Sequence, residues 1–257
     1  MCLLAVAWQI DARFPFVFAG NRDEYHARPS AAANWWPDAP EVLGGRDLQA
    51  GGSWLGISRS GRFAVVTNRP ELPAPDAAAL SRGDLVAQWL KATGKESASG
   101  VRASLERTAA SYGGFSLLTA TLEKGSGGKL VQFGGGNQAG ALAYDEVSAG
   151  VSGLSNTAPD KPWPKLTWLN GELDRLLRTG NVDTEQLFAL LRREDPVPGT
   201  LAKGVSARPF VIGTEYGTRC STVITVDAAG LCRFAERRFG PGGKPAGESA
   251  FEFLLAH

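Results

Sequence analysis

The opening stretch decides the reading: Met1-Cys2-Leu3-Leu4-Ala5-Val6-Ala7-Trp8-Gln9-Ile10, a break at Asp11-Ala12-Arg13-Phe14-Pro15, then Phe16-Val17-Phe18-Ala19-Gly20 running into Asn21-Arg22-Asp23-Glu24. Two short apolar runs joined by a tight polar turn read as an antiparallel hairpin. A hairpin returns the polar cluster at the end of its second strand to the neighbourhood of Cys2. Removal of Met1 would make Cys2 the N-terminal residue, with its thiol and α-amine about one hydrogen bond apart. That amine titrates at roughly 7.7–8.0, so it can act as general base for its own thiol without a histidine. Asp23 could then hold the protonated amine, and Arg22 could favour the thiolate. The same residues also suit a small buried cysteine in a first strand followed by a capped turn, and on this stretch alone both readings stand.

Composition sets the frame around that hairpin. The chain has 257 residues, 43% of them hydrophobic and 21% charged, and a formal net charge of +1. It is long enough to bury a sizeable core and carries the balance of a globular protein. With no basic excess, nucleic acid and anionic membranes are not expected partners. The first apolar run has no basic residue before it and is interrupted at Asp11 and Arg13, so it does not read as a secretory signal. No stretch approaches the roughly 18–20 apolar residues of a membrane span, so an integral membrane protein is not expected. The three cysteines, Cys2, Cys220 and Cys232, are odd in number and widely spaced. They indicate no disulfide framework and point to a reducing, cytoplasmic compartment.

Further along, residues 26–50, including Trp35-Trp36, lack sustained periodicity and read as a long loop with a short strand near Val42-Leu43. Strands are expected at 53–58 and 62–68, a loop at 70–79, and helices at 82–93 and 97–112 from their i, i+3, i+4 spacing. Strands follow at 114–122 and 129–133 around the Gly125-Ser126-Gly127-Gly128 turn, then near 142–144 and 150–154. Gly134-Gly135-Gly136-Asn137 lacks the lysine and serine of a phosphate loop and reads as a turn. Pro162-Trp163-Pro164 starts a helix through 165–177, with another at 184–192. Strands at 210–213, 218–227 and 231–239 and a strand or short helix at 248–255 complete the chain. Strands and helices thus come in groups, which implies an α+β fold of antiparallel sheets with helices outside them. No internal repeat or linker composition appears, so one domain over residues 1–257 is expected.

Asn21-Arg22-Asp23-Glu24 after a Met-Cys start resembles the NRDE family, also called the transport and Golgi organisation 2 family. The likeness continues through Gly51-Gly52-Ser53-Trp54-Leu55-Gly56, Val66-Thr67-Asn68-Arg69, Leu154-Ser155-Asn156-Thr157, Pro162-Trp163-Pro164-Lys165 and Tyr216-Gly217-Thr218-Arg219-Cys220-Ser221-Thr222. A more distant likeness is to the choloylglycine hydrolase and penicillin V acylase group. That group also begins Met-Cys and follows its second strand with Gly-Arg-Asn-x-Asp. The resemblance implies a four-layer αββα sandwich of the N-terminal nucleophile hydrolase type. Asp23 matches the aspartate that contacts the N-terminal amine. The arginine here stands on the far side of the asparagine, and strand side chains alternate faces, so Arg22 need not point where that group's arginine points. Asn68 matches the oxyanion-hole block, Asn156 resembles the group's second asparagine, and Arg219 its late arginine.

Two functions from different classes follow. In the first, the protein is an amidohydrolase acting on a non-peptide C–N bond of a small-molecule amide. Cys2 is the nucleophile, Asp23 orients the amine, Asn68 and Asn156 hold the oxyanion, Arg219 orients a substrate carboxylate or an ionised partner, and Arg22, Trp35 and Trp36 contact substrate. In the second, suggested by the family's association with haem handling and lipid homeostasis, the fold carries haem or a lipid-like ligand without catalysis. Neither reading needs a resident cofactor. A metal is not expected, because zinc sites want several His or Cys at short spacings, and only His26 and His257 supply imidazole.

Overall fold

The computed structural model describes residues 2–70, 72, 79–92, 98–124, 128–136, 142–157, 161–180, 182–200 and 207–256. The expected loop at 70–79, the turns at 125–128 and 134–137, and the start of the helix at 97 fall largely or partly outside them. The described residues within 1–28, 124–126 and 149–254 gather into one compact unit, and those within 29–123, 127–148 and 255–257 into another.

The first unit is built on a sheet of six antiparallel strands, in the order β10-β1-β2-β11-β12-β13. These are β1 (Cys2–Trp8), β2 (Phe16–Tyr25), β10 (Gly150–Leu154), β11 (Tyr216–Val226), β12 (Leu231–Phe239) and β13 (Pro245–Leu254). The expected hairpin forms, with Cys2 opposite Arg22 and Trp8 opposite Phe16. Leu3, Ala5 and Ala7 of β1, with Val17 and Ala19 of β2, pack against helices α3 (Pro164–Arg178) and α4 (Thr184–Leu191). Leu4 and Val6 on the other face are buried too, which is why β1 reads as a continuous apolar run rather than an alternating one. Pro164 opens α3, where its missing N–H costs nothing, and Leu166, Leu169, Leu173 and Leu177 form the stripe it buries. The Asp183 side chain caps α4 by accepting from the Gln186 N–H at 2.8 Å.

The second unit is a seven-stranded sheet, β3-β4-β5-β6-β7-β8-β9. Its strands are β3 (Ser30–Trp36), β4 (Ala39–Asp47), β5 (Leu55–Ser58), β6 (Arg62–Asn68), β7 (Phe115–Leu122), β8 (Gly128–Gly135) and β9 (Ala143–Glu146). Helix α1 (Arg82–Lys91) and helix α2 (Ala98–Thr108) contribute Leu85, Val86, Trp89, Leu90 and Leu105 to a core with Ala64, Val66 and Phe115. Ser81 caps α1 by accepting from the Gly83 N–H.

Two expectations are corrected. Residues 26–50 are not a long loop: β3 and β4 pair through most of it, with register shifts between Ala31 and Asn34 and between Trp35 and Trp36. Those shifts break the two-residue alternation that marks a strand in sequence. Residues 210–213 form no strand. The Phe210 N–H donates to the Arg193 carbonyl at 2.9 Å, and the Val211 N–H to Thr218 Oγ1 at 2.9 Å. Of the two readings of the last segment, the strand is the one that forms, as β13.

The helix layer of the first unit depends on Leu169, which is fully buried. Replacing it by alanine is expected to lower stability by about 2–5 kcal/mol, read as a fall in the urea midpoint with an unchanged slope.

Candidate active site

Cys2 occupies the first described position of β1, flanked on both sides by polar residues. On β2 its cross-strand partner is Arg22, and partners directly opposite each other share a face. On the other side β10 pairs with β1 from Leu4 opposite Leu154 onward. Continuing that register two residues sets Asn156 opposite Cys2. The Cys2 backbone nitrogen donates to Asn156 Oδ1 at 2.5 Å, and Asn156 is only 1% exposed. Asn156 therefore meets the nitrogen of Cys2 through its carbonyl oxygen.

Arg22 and Asp23 diverge by strand alternation. Arg22 shares the Cys2 face and reaches Glu24, two residues on, at 4.0 Å. Asp23 turns to the helix face and is 1% exposed. Its Oδ1 accepts from Thr218 Oγ1 at 2.7 Å, and its Oδ2 lies 3.8 Å from Lys165 Nζ of α3. The Tyr216 hydroxyl donates to the Asp23 carbonyl at 3.0 Å. Asn21 is structural. Its Nδ2 donates to the carbonyls of Leu191 and Pro209, and its Oδ1 accepts from Ser221 Oγ.

A bulge in β11 makes this arrangement fit. Thr218 pairs with Asp23 and Cys220 with Arg22, leaving Arg219 as the extra residue. Without the bulge, positions 218 and 220 would share a face. With it, Thr218 stands beside Asp23 on one face and Cys220 beside Arg22 on the other. Arg219 Nη1 donates to the carbonyls of Tyr25 and Arg28 at 2.8 and 3.0 Å. Among the contacts described, Arg219 braces the chain leaving β2.

Electrostatics follow from burial. Enclosure pushes the Cys2 thiol up; Asp23 and Glu24 add to this, and the Arg22 guanidinium opposes it. Burial likewise raises Asp23, opposed by Lys165 and by the Thr218 hydroxyl. Burial lowers Lys165, opposed by Asp23 and Cys2. Cys220 is pushed well up by burial and by Glu236, and Cys232 is pushed up by burial.

The remaining candidates lie in the second unit. Asn68 ends β6, opposite Phe115 of β7. Trp36 is buried, donates its indole N–H to the Gly44 carbonyl at 3.0 Å, and stacks under Arg46. Arg59 lies over Trp35, 3.9 Å from the ring centroid. Both tryptophans belong to β3 and are engaged within their own sheet. Lys165, Thr218 and Tyr216 were not singled out from sequence, although each lies inside a quoted family block. Nothing in the spacing of Pro164-Lys165 separates a buried lysine from an ordinary residue of a first helical turn. Among the described residues, no three His, Cys, Asp or Glu side chains group as metal ligands. Nor, among the described residues, is any helix long and apolar enough to cross a membrane.

Comparison with known proteins places this geometry. The sequence profile of the family described as Transport and Golgi organisation 2 matches residues 1–241. The chain belongs to that family. It is 33% identical over 244 residues to the Transport and Golgi organization protein 2 homolog of Bos taurus, covering 87% of this chain and 86% of that one. Among solved structures, a mutant conjugated bile acid hydrolase from Clostridium perfringens superposes with a TM-score of 0.54 at 9% identity, over 98% of this chain and 92% of that one. The N-acylethanolamine-hydrolyzing acid amidase ortholog of Caenorhabditis elegans gives a TM-score of 0.50 at 11% identity, over 87% and 92% of the two chains. The α+β fold is thus of the N-terminal nucleophile hydrolase type.

Two outcomes test this description. Iodoacetamide should label Cys2, which is partly exposed, well before the buried Cys220 and Cys232 in native protein; equal labelling would contradict it. Thr218→Val removes the hydroxyl donor to Asp23 and the acceptor for the Val211 N–H. It should cost about 1.5–3 kcal/mol in urea unfolding, and a cost near zero would show that Asp23 does not depend on that hydroxyl.

Proposed function

We propose that the chain is a cysteine N-terminal nucleophile amidohydrolase that cleaves a non-peptide amide C–N bond of a small molecule. The observation that carries this reading is the meeting of the Cys2 nitrogen with Asn156 Oδ1 at the head of the strand lying between Arg22 and Asn156, in a fold shared with amide-hydrolysing enzymes. Once Met1 is removed, that nitrogen is an amine. Donation of one N–H to Asn156 fixes its rotation, so its lone pair is available to the thiol of the same residue. The amine takes the thiol proton as sulfur attacks the carbonyl carbon, and it returns that proton to the departing nitrogen. Water, deprotonated by the same amine, then cleaves the thioester. Arg22, beside Cys2 on its face, favours the thiolate and faces the acyl group. Asn68 enters through its sequence block alone, as an amide donor to the oxyanion. Asp23 orients the amine. Trp35 and Trp36 are carried as substrate contacts on their apolar character alone. A reducing, cytoplasmic setting suits three unpaired thiols.

Intact mass first establishes loss of Met1, since its retention would leave no α-amine and defeat the mechanism. Incubation with a panel of acyl amides should then give turnover and an acyl adduct on the Cys2 peptide. Cys2→Ala should abolish the adduct and reduce turnover by about 10³-fold or more while keeping the fold. Saturable haem or lipid binding that survives Cys2→Ala, with no turnover on any amide, would replace this reading with carriage of an apolar ligand.

A further inference from the structure

Lys165 has no part in the scheme above, yet its placement is costly. Its side chain is 0% exposed, and lysines are almost never fully buried unless paired. It directly follows Pro164 in the first turn of α3, where the helix dipole disfavours a cation. Its Nζ has no hydrogen-bond partner among the described residues. It lies 3.8 Å from Asp23 Oδ2 and 5.3 Å from the centroid of the Trp163 ring. An ammonium held this way gains little for the fold, because a buried pair with poor hydrogen bonding seldom recovers its desolvation.

We infer that Lys165 is a positioning residue for Cys2: its buried ammonium keeps Asp23 ionised and favours the deprotonated thiol of the nucleophile. The inference rests on the proposed nucleophilic role of Cys2. Several charged or titratable groups act on that thiol. Arg22, Asp23 and Glu24 come from β2; the thiol is in turn felt by Tyr216 and Cys220 of β11 and by Lys165 of α3, and Arg219 of β11 faces Arg22, Glu24 and Cys220. Without Lys165, Asp23 would keep the Thr218 hydroxyl but lose the strongest of the groups that hold it ionised, since Arg22 reaches Glu24 on the other face. Burial drives Asp23 and Lys165 in opposite directions toward neutrality, and each is the other's largest opposing influence. The Thr218 hydroxyl donating to Asp23 tilts the pair toward its charged form. A second cation near Cys2 also pushes its α-ammonium, once Met1 is gone, toward the free amine that accepts the thiol proton.

The test is the pH profile of Cys2 alkylation by iodoacetamide in protein lacking Met1, followed by peptide mass. Lys165→Met should raise the midpoint by about one pH unit, making alkylation at pH 7 about tenfold slower. Lys165→Arg, which keeps the charge, should stay within about threefold of the parent. A purely structural lysine would change unfolding but leave the midpoint of Lys165→Met where it was, and that result overturns the inference. Should Lys165→Met fail to fold, Asp23→Asn against Asp23→Asn/Lys165→Met makes the same comparison without a stranded carboxylate. The double variant should have the higher midpoint, and equal midpoints again overturn the inference. Acyl-adduct formation on the parent protein is scored separately. An adduct with no midpoint shift defeats the role of Lys165 alone, and a shift with no adduct defeats hydrolysis alone.

Discussion

The antiparallel register of β1 between β2 and β10 is the constraint on which the rest of the first unit depends. Strand side chains alternate, so a slip of one residue would exchange the two faces. Leu3, Ala5 and Ala7 would leave the helices, and Cys2 would lose both Arg22 and the Asn156 oxygen. Core packing and site geometry are therefore specified by the same pairing. The leucines of α3 that hold Leu3 and Ala5 also hold Cys2 in place, one residue before Leu3 on the same backbone. Gly153 contributes to that fit: a Cβ there would come within 2.2 Å of the Leu4 carbonyl oxygen, so β10 approaches β1 only because the position carries no side chain.

Polar residues are distributed by face rather than by sequence proximity. In Asn21-Arg22-Asp23-Glu24, alternate residues serve different ends. Asn21 and Asp23 look toward the helices, where one ties β2 to the end of α4 and the other meets Lys165 and Thr218. Arg22 and Glu24 look the other way, beside the nucleophile. The β11 bulge lets one strand serve both faces within three residues. Bulges are common beside active sites for this reason, since they re-aim a side chain without abandoning the ladder.

The hairpin of β1 and β2 was legible in the sequence because its two apolar runs and polar turn are uninterrupted. Helices α1 and α2 were legible from their i, i+3, i+4 spacing and α3 from its opening proline. The β3–β4 pair was not, because its register shifts erase the period that strands normally show. The segment around Phe210 misled in the opposite way: it is apolar and extended in composition, but its N–H groups go to Arg193 and to a threonine side chain rather than to a ladder. At the site, Cys2, Arg22, Asp23 and Asn156 come together in one unit as their motifs suggested. Lys165 was hidden because burial of a helix-start lysine depends on which strand residue lies beneath it. That is a tertiary fact with no local signal.

One row across the sheet has a chemical corollary. Cys2, Arg22 and Cys220 are successive cross-strand neighbours on β1, β2 and β11, so the two sulfurs are separated by a whole strand. Neighbouring strands lie about 4.7–4.9 Å apart, which puts the two backbones on the order of 9–10 Å from each other. A disulfide tolerates roughly 7 Å between Cα atoms at most. Cys232 pairs with Val226 on a further strand, β12, and offers nothing nearer. Under oxidative stress a sulfenic acid formed on Cys2 would therefore find no resolving thiol within its own chain. Its protection would have to come from small thiols in solution, and failing those it would proceed to the irreversible sulfinic state.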